Sequence, residues 1–213
     1  MGPATGRDPM NAIDSIRGIP FSGAVLAGGK SSRMGRDKAL IGVGGKPLLA
    51  LQLDRLRLAG ASEFLVSVAR DAALSTMPGW DTRVRWIEDP VPDAGPMAGV
   101  EAVLRAAIAG HVLVLAVDLP AMDVAFLSAL VSRTAPGVGV VPRCNGRWEP
   151  LCAVYPRESA LGAAAAMAAG GKRAVRDLVV QGIAAGWMRP WEVPESGVGK
   201  LANWNRPEDW SAG

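Results

Sequence analysis

The chain is poor in residues that bind metals or form cross-links. It has one histidine and two cysteines, Cys144 and Cys152, in 213 residues. Two cysteines make no disulfide framework, and a single His111 leaves no zinc-binding spacing. Cys152 lies in an apolar run and reads as a small core residue. Cys144 stands near a turn and is expected at the surface, and His111, just after Gly110, reads as part of a surface turn. No apolar stretch reaches the ~20 residues of a membrane span, and residues 1–20 hold no apolar run of signal-peptide length. Charge of one sign is also scarce. With 23 Lys and Arg against 20 Asp and Glu, the net charge is +3, which argues against a dedicated nucleic-acid binder. Repeats are absent, and compositional bias is confined to an alanine run and residues 1–20, rich in Gly, Pro, Asp and Arg. The expectation is a cytoplasmic protein with a disordered extension over 1–20 and one domain over 21–213.

The two familiar phosphate loops are missing as well. No Gly, four residues, Gly-Lys-Ser/Thr run starts at Gly28 or Gly29, which disfavours a small-molecule kinase. The Gly-x-Gly-x-x-Gly fingerprint with its later acidic residue is not there either. What is there is an apolar run, Ala24-Val25-Leu26-Ala27, followed at once by Gly28 and Gly29, then by Lys30, Arg33, Arg36 and Lys38. Glycines let backbone N–H groups turn toward a ligand and let it approach closely. Four cations on one loop ask for a ligand with several negative charges. The stretch reads as a triphosphate cradle where a buried strand leaves a sheet.

Strands are expected over 22–27, 63–69, 84–87, 112–117, 138–141 and 150–155, with a last one near Leu201. Between them, helical patterns begin at Lys46-Pro47, Gly95-Pro96, Asp123, Ala160 and Ala174, and a short helix is expected over 203–210. This alternation, with strands that are continuous apolar runs, predicts an α/β fold of three layers, α/β/α, around a mainly parallel sheet.

Asp118 follows the apolar run 112–117, so its carboxylate would sit at the carboxyl edge of that sheet. Magnesium needs only one or two carboxylates beside phosphate oxygens and water, so Asp118 is a metal candidate. Its plainer alternative is a turn residue ahead of Leu119-Pro120. Lys38 and Arg33 are candidates for the phosphates, Lys38 having the alternative of a surface lysine at the start of a strand. Asp89 is either an acceptor for base or sugar or an Asx turn before Pro90. Gly95 to Gly99 would turn backbone N–H groups outward at a helix start, and Asn203 and Asn205 bring amides. Most of the seven tryptophans read as packing residues; Trp148 and Trp204 are candidates for stacking on a planar ring.

Leu26-Ala27-Gly28-Gly29, Arg33-Met34-Gly35 and Asp37-Lys38 resemble the molybdenum cofactor guanylyltransferase family. Gly-Pro-Met-Ala-Gly (95–99), Val-Asp-Leu-Pro (117–120), Glu-Pro-Leu-Cys-Ala-Val-Tyr (149–155) and Asn-Trp-Asn-Arg-Pro-Glu-Asp (203–209) follow in the same order. The resemblance implies a Rossmann-like nucleotidyltransferase fold and transfer of GMP from GTP to the terminal phosphate of molybdopterin, with release of pyrophosphate. It also implies that Leu26, Ala27, Gly28, Gly29, Lys38, Ser67, Asp89, Gly95 and Asp118 bind nucleotide, and that Asp118 binds magnesium. Asn203 and Asn205 would lie on the pterin side. Proteins that deliver pterin or take up the product are the partners it implies; nucleic acid and membrane are not. Two positions depart from the family. Ser67 stands where asparagine is frequent, and Glu149 precedes Pro150 where glutamine is common. Relatives that use CTP tend to carry Ala-Ala-Gly at 27–29, so Gly28 is expected to make room for a purine, with Asp89 accepting from its N1 and N2 edge. The rival readings are a cytidylyltransferase for the same cofactor, a transferase acting on a sugar phosphate or phospholactate, and an inactive nucleotide-binding homologue.

Overall fold

A computed structural model describes residues 18–28, 37–69, 73–76, 79–89, 95–170 and 174–204. Apolar runs form the centre of the sheet. β1 (Phe21–Leu26) and β6 (His111–Ala116) are buried along their whole length and lie side by side in parallel. Around them stand β4 (Glu63–Val68), β5 (Val84–Glu88), β7 (Gly139–Cys144), β9 (Cys152–Pro156) and β10 (Met188–Glu192). The order is β10-β7-β9-β6-β1-β4-β5, with the two-residue β8 (Arg147–Trp148) paired to β7. β9 runs antiparallel to β6 and β7; the other neighbours along this order are parallel.

Alternation along the strands divides the core into two layers. Val25, Val66, Leu113 and Leu115 face one side. There they meet Leu48, Leu49 and Leu56 of α1 (Leu48–Leu58) and Phe126, Leu127 and Leu130 of α3 (Val124–Val131). Ala24, Leu26, Leu65, Val112 and Val114 face the other side, against Val100, Val103 and Leu104 of α2 (Pro96–Ala106). Ala160 and Ala164 of α4 (Arg157–Ala169) and Leu178 of α5 (Val175–Ala184) complete that layer. Each fully buried Leu or Val contributes about 1.5–3 kcal/mol, so both faces of the sheet must be covered. This is the three-layer α/β/α arrangement expected, with a mainly parallel sheet.

Several local expectations are corrected. Leu201 ends a 3-10 turn, Gly199–Leu201, instead of lying in a strand. The last strand is β10, an edge strand whose Arg189, Pro190 and Glu192 hide the apolar pattern. Lys46-Pro47 does not start α1; it forms β3 (Lys46–Pro47), paired with β2 (Gly42–Val43) across Gly44 and Gly45 at φ 56° and 80°. Cys144 is buried, and the turn beside it is Asn145-Gly146, both at positive φ. His111 is buried too, its Nε2 donating to the Ala135 carbonyl at 3.1 Å. Burial pushes the His111 pKa down, while the Ala135 and Val138 carbonyls oppose that shift. No helix among the described residues is long and apolar enough to cross a membrane.

Candidate active site

Parallel strands bring their exits to one edge, so residues far apart in sequence meet there. β1 ends into Ala27 and Gly28, β4 into Ala69, β5 into Asp89 and β6 into Val117-Asp118. Backbone bonds tie these exits together. Ala27 N–H donates to the Ser67 carbonyl, Asp89 N–H to Val68, and Val117 N–H to Leu26.

Lys38 begins a 3-10 turn, Lys38–Leu40, whose start is capped by Asp37: its Oδ1 accepts from Ala39 N–H at 3.0 Å. That turn aims Lys38 at Asp118. The ammonium is 3.0 Å from Asp118 Oδ2 and 3.0 Å from the Trp204 carbonyl. Trp204 N–H in turn donates to the Asp118 carbonyl at 3.0 Å. The candidate lysine, the candidate metal ligand and the 203–204 segment are therefore one cluster. Lys38 and Asp118 side chains are each about one-fifth exposed, so a ligand can reach them.

Two residues that sequence reasoning missed hold Asp118 from behind. Gln52 on α1 is fully buried and donates to the carbonyls of Val117 and Leu119 at 3.3 and 2.9 Å. Arg55 donates to the Pro120 carbonyl at 2.7 Å and to Gln52 Oε1 at 3.1 Å. The sequence does carry a signal for Gln52: it is a polar residue on the apolar stripe of Leu48, Leu49 and Leu56, and a buried amide needs partners.

Asp89 is half-buried at the end of β5, and Ser67 Oγ donates to its Oδ1 at 2.5 Å. Burial pushes the Asp89 carboxyl pKa up; the Ser67 hydrogen bond opposes this. Ser67 itself is buried at 1% exposure, and its hydroxyl is engaged with Asp89. The glycine at 28 stands against the Asp89 side chain. No positive φ is required there. A Cβ at Gly28 would stand 2.8 Å from Asp89 Oδ2, so the room a methyl group would fill belongs to this carboxylate.

Gly95, at φ 77°, precedes Pro96 at the first turn of α2, the expected helix start. Asn203 is exposed beside Trp204. Glu149 is partly buried between β8 and β9, its N–H donating to the Pro142 carbonyl. Burial raises its pKa while the charge of Arg147 opposes the rise. Trp148 carries the Arg143 guanidinium 5.0 Å from its ring centroid. Gly29, Arg33 and Asn205 lie outside the described residues.

No group of three or more His, Cys, Asp or Glu able to hold a metal exists among the described residues. Asp118 alone, with one oxygen on Lys38 and the other without a partner among the described residues, suits an ion bound chiefly through phosphate oxygens. That is the donor set magnesium takes beside a nucleotide, so the residues fit it.

A lysine paired to an aspartate and a second, half-buried aspartate thus stand on one carboxyl edge of a mainly parallel sheet. Residues 23–183 match the family model of the MobA-like NTP transferase domain, and the chain belongs to that family. It is 39% identical over 198 residues to a protein of Opitutus terrae named "Probable molybdenum cofactor guanylyltransferase", covering 92% of this chain and 95% of that one. It is 34% identical over 194 residues to a molybdenum cofactor guanylyltransferase of Pseudomonas putida, covering 89% and 95%. The crystal structure of molybdopterin-guanine dinucleotide biosynthesis protein A from Archaeoglobus fulgidus shares the fold, with a TM-score of 0.68, 20% identity and coverage of 89% and 95%.

Proposed function

We propose that this enzyme transfers GMP from GTP to the terminal phosphate of molybdopterin, yielding the guanine dinucleotide form of the cofactor and pyrophosphate. The observation that carries the reading is the Lys38–Asp118 pair after β6 and Asp89 after β5 on the same carboxyl edge of the sheet, in a chain of the MobA-like family. A phosphate oxygen of the pterin attacks the α-phosphorus in line. A new P–O bond forms, the bond to the α–β bridging oxygen breaks, and pyrophosphate leaves with that electron pair. The attacking phosphate is already ionised, so no general base is required.

The chain's own groups position and neutralise charge. Lys38, with Arg33, binds the triphosphate and stabilises charge on the departing pyrophosphate. Residues 26–29 and Gly95 offer backbone N–H groups to the nucleotide. Asp118 would hold magnesium, which when bound supplies positive charge to the phosphate oxygens. Asp89 accepts from the N1 and N2 edge of guanine, a role its partial desolvation strengthens. Asn203 and Asn205 are assigned to the pterin in this reading, on the family resemblance. A cytoplasmic setting, and protein partners that hand over pterin or take up product, belong to the same proposal.

The test is kcat/KM for GTP and CTP with the same molybdopterin acceptor, read as pyrophosphate release. Cytosine cannot match the guanine donors, and an unpaired buried acceptor costs about 1–3 kcal/mol, so GTP should win by about tenfold to a hundredfold. Equal values would move the protein to the cytidylyl branch.

A further inference from the structure

Ser67 and Asp89 form a closed pair enclosed by two glycines from different elements. Ser67 lies at the carboxyl end of β4, between Leu26 of β1 and Ile87 of β5 in register. Its carbonyl accepts from Ala27 N–H at 2.9 Å, so its backbone is fixed to the nucleotide loop. Its hydroxyl donates to Asp89 Oδ1 at 2.5 Å. From one side, a Cβ at Gly28 would come within 2.8 Å of Asp89 Oδ2. From the other, a Cβ at Gly99 in the first turns of α2 would come within 2.8 Å of Ser67 Oγ and 3.5 Å of Asp89 Oδ1. Any other residue at 28 or 99 would force this pair to shift. The two glycines thus leave the pair the room in which it stands.

We infer that Ser67 is a positioning residue for base selection: it fixes the Asp89 carboxylate so that the remaining acceptor capacity faces the nucleobase, and Gly28 and Gly99 are the space this pair requires. The inference rests on the guanine reading above and adds which residue sets it. A carboxylate has about four lone-pair directions. Ser67 takes one, and among the described residues no other side chain donates to Asp89. Holding one oxygen fixes the plane of the group, and a fixed acceptor discriminates between donors better than a rotating one.

The experiment uses the full chain with three probes: GTP, CTP and inorganic tripolyphosphate, which reads the phosphate cradle alone. Ser67→Ala should weaken GTP binding about tenfold and raise the KM for GTP to match, with kcat within about threefold. Tripolyphosphate binding should stay within about twofold. Ser67→Thr keeps the hydroxyl and should restore the GTP preference. Gly99→Ala, aimed at Ser67 Oγ from the helix side, should reproduce the Ser67→Ala pattern. Unchanged GTP binding in Ser67→Ala, or an equal loss for GTP and tripolyphosphate, overturns the positioning role while a wild-type preference for GTP over CTP keeps the guanylyl reading. A wild type indifferent between GTP and CTP overturns both.

Discussion

Two carboxylates, at opposite edges of the same sheet, have opposite fates. Glu63 opens β4 at the amino edge, and Asp89 follows β5 at the carboxyl edge. Glu63 Oε1 accepts from Ser22 Oγ at 2.6 Å and from Ile108 N–H at 2.5 Å; its Oε2 accepts from Arg85 at 2.8 Å. Arg85 also holds the Ala106 carbonyl, and Ala109 N–H donates to Ser22 Oγ. Burial alone would raise the Glu63 pKa, but the donors outweigh it and the net shift is downward. Asp89 has a single side-chain donor among the described residues, Ser67, and burial wins, so its pKa goes up. One carboxylate is saturated and ties a loop to a strand. The other has few donors among the described residues, which suits the acceptor role proposed for it.

The largest effect that would sharpen this contrast is expected at the carboxyl edge. Asp118→Asn should fold normally and lose about a hundredfold or more in magnesium-dependent pyrophosphate release. Near wild-type turnover at millimolar magnesium would remove Asp118 from the metal role. Lys38→Ala should come next, weakening GTP binding at least about tenfold while leaving guanosine binding unchanged, since the proposed role of the lost cation is toward phosphate and not base. Equal loss for both ligands would make the lysine a structural partner of Asp118 and the Trp204 carbonyl.

The third prediction sets the two carboxylates against each other by stability. The Glu63 folded pKa lies below its unfolded value, so its contribution is present above the unfolded pKa and is lost as pH falls through the folded one. Glu63→Gln should therefore cost about 1–3 kcal/mol in urea unfolding at pH 7, and that cost should shrink toward pH 4. The Asp89 folded pKa is raised, so its contribution is present below the unfolded value and is lost as pH rises through the folded one. At pH 7 its charge costs stability, and Asp89→Asn should move the urea midpoint upward while abolishing the GTP preference. The same sign for both variants would break the comparison. The smallest effect is expected from deleting residues 1–20, whose composition supplies no core: melting temperature and kcat/KM should stay near those of the full chain.

How far the sequence was legible depends on the range of each contact. α3 was readable down to its cap, because Asp123 accepts from Phe126 N–H three residues on. The positions of Gly28 after β1 and Asp118 after β6 were readable because each follows an apolar run. β10 was not, since an edge strand needs no apolar alternation and this one contains Pro190. His111 was misread as a turn residue because nothing local announces that its ring reaches the Ala135 carbonyl.

The amino-acid order by itself determined the alternation of strands and helices, the cationic loop after β1 and the carboxylates that follow β5 and β6, because those follow from periodicity and from residue type at element ends. The tertiary structure alone decided what each of them touches. Lys38 meets Asp118 across 80 positions and the Trp204 carbonyl across 166, Gln52 clamps the turn after β6 across 65 and 67, and Ser67 holds Asp89 across 22. Such contacts depend on strand order and on which face a helix covers. Those are settled by packing the whole sheet between its two layers, and no local stretch of sequence encodes them.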